Sequence, residues 1–460
     1  MRAVEMSYPA HVRAVLVLGL PLIGGHMAQI GIGLTDTIMV GWYGATALAT
    51  FTLANTLFFS LFLVGTGFAA AVLPMVAKYA AERDDPQVRR ATRMGLWLSA
   101  IYSVLVFPLL WWSEPILLGL GQDPVIAADA QLYLRMLAFG LLPALVVMTL
   151  KSYLAALEKT QVVFWVTLVA VPFNAAANYG LIFGNFGFPE LGLKGAGIAS
   201  LSTHVFSALV VIGYIAVCVP KHALFQRIWK PSPQMLMAVF RLGWPIGLTM
   251  LSETVLFAAS ALMMGWIGTV PLAAHGIALQ YVSVTFMLHL GLSNAATVRV
   301  GNAFGRQDWP HMARGGVVAL VMSVVVAVVT IVVLLAIPEP LIAVFLDPDD
   351  PARAEIISAG VVLLMLAALF QLADGAQVVA LGLLRGVQDT QGPMIITAFS
   401  YFGVGVPAAY GLGFLLDWGG AGVWMGLVLG LAVTAVLLNH RFWLRIVPGL
   451  SRLAAPVSTA

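Results

Sequence analysis

Of twenty acidic residues in the chain, only Asp36, Glu253 and Asp374 fall well inside long apolar runs. A carboxylate in hydrocarbon costs roughly 3 kcal/mol on insertion scales unless it is protonated, paired or bound to a cation. No Lys or Arg is read at the depth of these three, so protons and metal cations are the remaining partners. Other polar residues share helical faces with them. His26, Gln29, Gly33 and Asp36 follow one another at steps of three, four and three; Thr249, Glu253 and Phe257 at steps of four; Gln371, Asp374 and Gln377 at steps of three. Asn174 and Asn178 stand one turn apart behind Pro172, and amides at lipid depth must find partners. They are read either as glue between helices or as partners of Asp36. At about 1.5 Å per residue, Glu253 lies roughly 18 Å from Arg241 and Asp374 roughly 17 Å from Arg385, one level near mid-membrane, whereas Asp36 belongs to the outer half. Two carboxylates at one level can share one Na⁺, which prefers oxygen ligands, or take up protons.

The elements that must position these residues are helices. With 61% apolar and 9% charged residues, the chain is far from the roughly 25% charge of soluble domains. Twelve apolar runs, from about 14–40 to about 420–440, are each long enough to cross a bilayer. They are continuous rather than alternating, which excludes a β-barrel. The expected fold class is an all-α integral membrane protein with twelve transmembrane helices. Twenty of the 23 basic residues, from Arg2 and Arg13 through Lys151 and Lys159 to Arg452, fall on one side of that arrangement, which places both termini in the cytoplasm. Arg2 and Arg13 before an apolar run imitate a secretory signal, but the run is too long and recurs mid-chain.

Several function classes drop out. The net charge of +3 follows from the loop asymmetry and supplies no continuous basic surface for nucleic acid. Cys218 is the sole cysteine, so the chain has no internal disulfide and no thiolate cluster. The DPDDP run at 347–351 reads as a turn rather than a magnesium-pyrophosphate site. His26, His204, His275 and His289 are scattered singly, and no nucleophile or phosphate loop has the spacing enzyme chemistry requires. Neither an enzyme nor a bound cofactor is expected.

Residues 19–90 recur as 243–314 at a constant offset of 224, pairing Gly19 with Gly243, Pro21 with Pro245, Gly67 with Gly291, Asp84 with Asp308 and Pro86 with Pro310. The chain is a duplication. It divides into an N-terminal lobe, 1–230, with six helices and a linker, and a C-terminal lobe, 231–460, with six more. The offset sets Gln29 opposite Glu253 and Asp36 opposite Ser260, so each half carries its own acid. Pro21 removes a backbone hydrogen bond and favours a bend in the first helix.

Pro21, the TDTIMVGWYG run ending at Gly44, Asn174 and Asn178, Glu253 with Phe257, VRVGNAFG at 298–305, Asp374 and LLRGVQDTQGP at 383–393 together resemble the multidrug and toxic compound extrusion (MATE) family, in its NorM-type branch, over essentially the whole chain. The resemblance implies two six-helix lobes related by a pseudo-twofold axis along the membrane normal, rocking about a central cavity in a bacterial inner membrane. It implies efflux of organic cations, such as fluoroquinolones and dyes, driven by Na⁺ or H⁺, by a protein expected to be a monomer. Glu253 and Asp374 fall where that family holds a cation, with Phe257 and Phe286 as aromatic neighbours. Asp36, Asn174 and Asn178 match its N-lobe protonation or second cation site. Gln29, Gln371 and Gln377 are added as cavity candidates from their helical faces. Phe370 departs from relatives that carry a tyrosine there. Two rivals stand beside this reading: a lipid-linked oligosaccharide flippase, expected to carry basic residues in its cavity, and a membrane-embedded enzyme with paired carboxylates.

Overall fold

The structure is a computed structural model that describes residues 6–349 and 351–453; Arg2, Asp350 of the DPDDP run and both chain ends lie outside them. Among the described residues twelve helices are long and apolar enough to cross a membrane: α1 (Tyr8–Tyr43), α2 (Ala45–Ala81), α3 (Asp85–Trp111), α4 (Pro124–Ala156), α5 (Thr160–Phe183), α6 (Gly192–Cys218), α7 (Pro233–Ile267), α8 (Thr269–Gly305), α9 (Trp309–Ala336), α10 (Arg353–Gly386), α11 (Gln391–Leu415) and α12 (Gly419–Leu450). Helix is what an apolar run must form in lipid, because it satisfies each backbone group within the segment. α11 is irregular, with π-helical turns over Phe399–Gly405 and Gly411–Leu415.

The duplication is visible in the helix ends. Arg83, Glu158, Gln307 and Gln388 all adopt left-handed backbone, with φ of 60°, 61°, 56° and 63°. In each case the next amide, of Asp84, Lys159, Asp308 or Asp389, donates to a carbonyl five residues back at 2.9 Å. This is a Schellman closure built without glycine. At two of the corners the following helix is capped alike: Asp84 accepts from Gln87 N and Asp308 from His311 N, both at 3.1 Å. Pro86 and Pro310 then occupy early helical positions whose missing N–H needs no partner.

Packing gathers the chain into two compact units, Gly24–Leu248 and, for its described residues, Met1–Ile23 with Thr249–Ala460. These are not the 1–230 and 231–460 lobes read from the repeat. The beginning of α1 belongs with the second half, and the beginning of α7 with the first. Close backbone approach is the physical reason. Within Gly24–Leu248, a Cβ on Gly67 of α2 would lie 2.4 Å from Gly247 N and 2.5 Å from Gly243 O of α7. In the other unit, a Cβ on Gly291 of α8 would lie 2.9 Å from Ile23 N of α1. Gly67 and Gly291 are repeat equivalents, as are Gly247 and Ile23, so one contact is built twice. Both unit boundaries fall within three residues of Pro21 or Pro245.

The linker between α6 and α7 is held by side chains of its own unit. Arg93 of α3 donates to Leu224 O at 2.6 Å, to Ala223 O at 2.8 Å and to Gln226 O. Trp97 donates to Ile228 O at 2.9 Å. His222, only 6% exposed, lies 2.6 Å from the Tyr153 hydroxyl and 3.4 Å from Asp85, which also pairs with Lys221 at 3.0 Å. Burial pushes the His222 imidazole below the ordinary histidine range, against the opposing pull of Asp85.

Two outcomes follow. Gly67→Val and Gly291→Val should each destabilise the protein by about 2 kcal/mol or more through overpacking, while Gly213→Ala, where a Cβ meets open space, should leave the thermal midpoint in detergent unchanged or raised. The linker should loosen on acidification. A histidine whose folded pKa is depressed is protonated first in the undocked chain, so docking is complete above about 6.5 and weakens as pH falls below it. Amide exchange at Leu224–Ile228, corrected for intrinsic rate, reads the effect, and His222→Gln should flatten it.

Candidate functional site

In the unit Gly24–Leu248, Asp36 of α1 meets α5 and α6. Because Asn174 and Asn178 are one helical turn apart, α5 offers both amides on a single face. Both converge on Asp36 Oδ1, with Nδ2 at 3.0 Å for Asn174 and 2.6 Å for Asn178. Asn178 also donates to Asn174 Oδ1 at 3.1 Å, and Asn174 Nδ2 reaches Thr203 Oγ1 at 3.5 Å. The second carboxylate oxygen, Oδ2, receives one long bond, from Ser200 Oγ at 3.5 Å. Tyr133 of α4 lies within electrostatic reach of both Ser200 and Asp36. Asp36 is 8% exposed and both asparagines are fully buried. Of the two readings of Asn174 and Asn178, the structure realises the partnership with Asp36. One carboxylate oxygen is therefore held by two amides and the other by a single long bond. Gln29 lies exposed on α1 and takes no hydrogen bond in this cluster. Ser200, Thr203 and Tyr133 escaped the sequence reading because hydroxyls are unremarkable in apolar helices.

In the unit containing Thr249–Ala460, Glu253 of α7 and Asp374 of α10 interact electrostatically. Gln377 links Glu253 to α11: its Nε2 lies 3.5 Å from Glu253 Oε1 and donates to the Tyr401 hydroxyl at 2.5 Å. Tyr401, fully buried within the first π-helical turn of α11, also feels both acids. Asp374 is 1% exposed, and among the described residues its Oδ2 has no donor, nor has Gln377 Oε1. Gln371 donates elsewhere, to Thr285 Oγ1 of α8 at 2.7 Å, and His289 of α8 pairs with Ser323 of α9 at 2.9 Å. The aromatic wall runs Phe257, Phe370, Trp424, at centroid separations of 6.1 and 6.2 Å, and Trp424 donates to His275 Nδ1 at 3.0 Å. Phe286, half-buried on α8, has no part in that wall.

Among the described residues no three His, Cys, Asp or Glu gather as a metal site. The second cluster instead offers two carboxylates with neutral amide and phenol oxygens, and its donorless buried acceptors fit a small cation or a proton. π-helical turns recur at such functional positions. Tyr401 supplies a hydroxyl from α11 where Phe370 lacks one, and a tyrosine in an apolar run carries no signal of that use.

One basic residue departs from expectation. Arg385 acts electrostatically on Glu253, because axial rise locates the backbone and ignores the reach of a long side chain. Lys151 follows directly on the fourth apolar run of the sequence, on the side assigned to the cytoplasm. It sits within α4, which continues to Ala156, and donates to Thr167 Oγ1 of α5 at 2.7 Å.

The MatE family profile matches residues 21–180 and again 245–411, one match in each half. A probable multidrug resistance protein NorM from Rhizobium meliloti (strain 1021) is 45% identical over 95% of this chain and 94% of its own length. A protein of the same description from Synechocystis sp. is 36% identical over 96% of each. The crystal structure of the eukaryotic MATE transporter AtDTX14 superposes with a TM-score of 0.85, at 19% identity, over 97% of this chain and 98% of that one. The chain belongs to the MatE family: it is a NorM-type MATE transporter and not an enzyme.

Proposed function

We propose that this transporter exports organic cations, fluoroquinolone-like and dye-like, from a bacterial cytoplasm across the inner membrane in exchange for Na⁺, H⁺ or both. One observation carries the reading: each half buries an acid with one oxygen lacking a firm donor, Asp36 Oδ2 and Asp374 Oδ2. Such an oxygen binds a small cation, a proton or an organic ammonium, and exchange requires only that occupation by one disfavour another. Relatives described as multidrug resistance proteins support the substrate class. A flippase for a lipid pyrophosphate would centre its sites on bases, whereas both clusters here are centred on acids.

Efflux of a cationic dye from proteoliposomes, under separately imposed Na⁺ and pH gradients, tests the exchange and identifies the ion. Asp36→Asn keeps the size and the hydrogen bonds but not the charge, so efflux should fall tenfold or more with the thermal midpoint preserved; near-normal efflux would remove Asp36 from the mechanism.

Glu253 and Asp374 are proposed as the Na⁺ ligands, with Tyr401 in support. Na⁺, compared with choline at matched ionic strength, should raise the thermal midpoint by binding the folded state, and protons should compete as pH falls. Glu253→Gln or Asp374→Asn should abolish the Na⁺-specific shift. Tyr401→Phe should weaken the apparent Na⁺ affinity about tenfold, the loss of one hydrogen bond to a charged site. A full Na⁺ response in both acid variants would exclude the site.

A further inference from the structure

Within the unit Gly24–Leu248, Arg135 stands in a stripe of α4 that looks outward. Leu132, Arg135, Phe139 and Leu142 follow one another at steps of three, four and three, one helical face. The three apolar members are 48%, 52% and 39% exposed. On α3, Val104, Leu105, Leu109 and Trp112 are exposed as well. Apolar surface turned outward on spanning helices is covered by lipid. An arginine in such a stripe is costly unless it reaches the interface and finds a partner.

This arginine is held in place. Its Nε donates to Trp111 O at 3.1 Å, a carbonyl in the last turn of α3 that the helix itself leaves unbonded, and its Cζ lies 5.1 Å from the centre of the Trp111 ring. Trp111 is fixed in turn, stacked on Phe107 at 5.4 Å and edge-on to Phe139 at 5.8 Å. Because α3 ends at Trp111, the guanidinium lies where a spanning helix leaves the bilayer, on the side that the basic loops assign away from the cytoplasm. Glu114, in the short helix Ser113–Gly119, accepts instead from Gln131, one turn before Arg135, at 3.0 Å. Among the described residues no carboxylate pairs with Arg135, and its Nη1 and Nη2 have no acceptor.

With Nε committed, the parallel donors at the Nη end match two oxygens of a phosphate. The stripe from Leu132 to Leu142 runs roughly 15 Å along α4, a bed for acyl chains. We propose that Arg135, held against Trp111, binds the phosphate of an anionic phospholipid in the leaflet on that side, the acyl chains lying on the exposed faces of α3 and α4. One net negative charge answers one guanidinium, whereas a choline lipid brings its own cation to a corner that is already positive.

Photoactivatable phosphatidylglycerol, with a diazirine in its acyl chain, tests this on the full chain in detergent. Labelling should fall on the segments 104–112 and 132–142, about tenfold more strongly than with the matched phosphatidylcholine probe. Equal labelling by the two probes refutes the site on unmutated protein, whatever any variant does. Arg135→Gln should lower the phosphatidylglycerol labelling there about tenfold, with labelling at the basic linker between α6 and α7 as internal standard. Arg135→Lys, which keeps the charge and loses the fork, should fall between. Unchanged labelling in Arg135→Gln overturns the proposal. Inorganic phosphate at millimolar concentration should leave the probe in place; displacement would make this a site for free phosphate and overturn the lipid assignment.

Discussion

Hydrogen-bond donors are scarce inside a helix bundle, because each backbone N–H is already committed to its own helix. A carboxylate placed there must be answered by side-chain amides and hydroxyls, or by an ion that arrives and leaves. Asp36 is answered by halves: two asparagine amides hold Oδ1, and Ser200 barely reaches Oδ2. Asp374 Oδ2 is answered by none of the described residues. Full satisfaction by fixed donors would make these acids structural, and total neglect would make them intolerable. The partial answer suits a site that changes occupant.

The scaffold is symmetric where the chemistry is not. Helix closures, aspartate caps and glycine contacts recur between the halves, because each is a solution to backbone geometry that any copy of the segment needs. The acids do not recur. At the position equivalent to Asp36, Ser260 turns its hydroxyl back on Phe257 O within its own helix. At the position equivalent to Glu253, Gln29 lies exposed. Duplication supplied two frames, and substitution placed the charge at a different level in each.

How much could be read beforehand differs by residue, and for physical reasons. Asp36, Asn174, Asn178, Glu253 and Asp374 were legible because charge and amide are conspicuous in lipid, and helical spacing predicts shared faces. Twelve spans were legible from length and apolarity. Tyr401 was not, since a phenol passes for an apolar residue until its hydroxyl is located. Lys151 lies inside α4 rather than after it because the helix extends past the apolar run that revealed it. The offset of 224 residues disclosed two equivalent halves, but not that Gly67 packs on α7 and Gly291 on α1, since a glycine does not name its neighbour.

That last arrangement bears on how such a chain comes to exist. A single half made alone would hold a first helix whose opening turns have no glycine to lie against, and a second helix with an empty groove. Two copies trading those opening turns would fill both grooves, as in a domain-swapped homodimer, where each subunit completes its partner. Fusion of the copies makes the trade intramolecular and no longer dependent on concentration. It also imposes an order on biosynthesis: the groove that receives the start of α1 is formed by Gly291 and its neighbours, so the opening turns of α1 wait until α8 has followed.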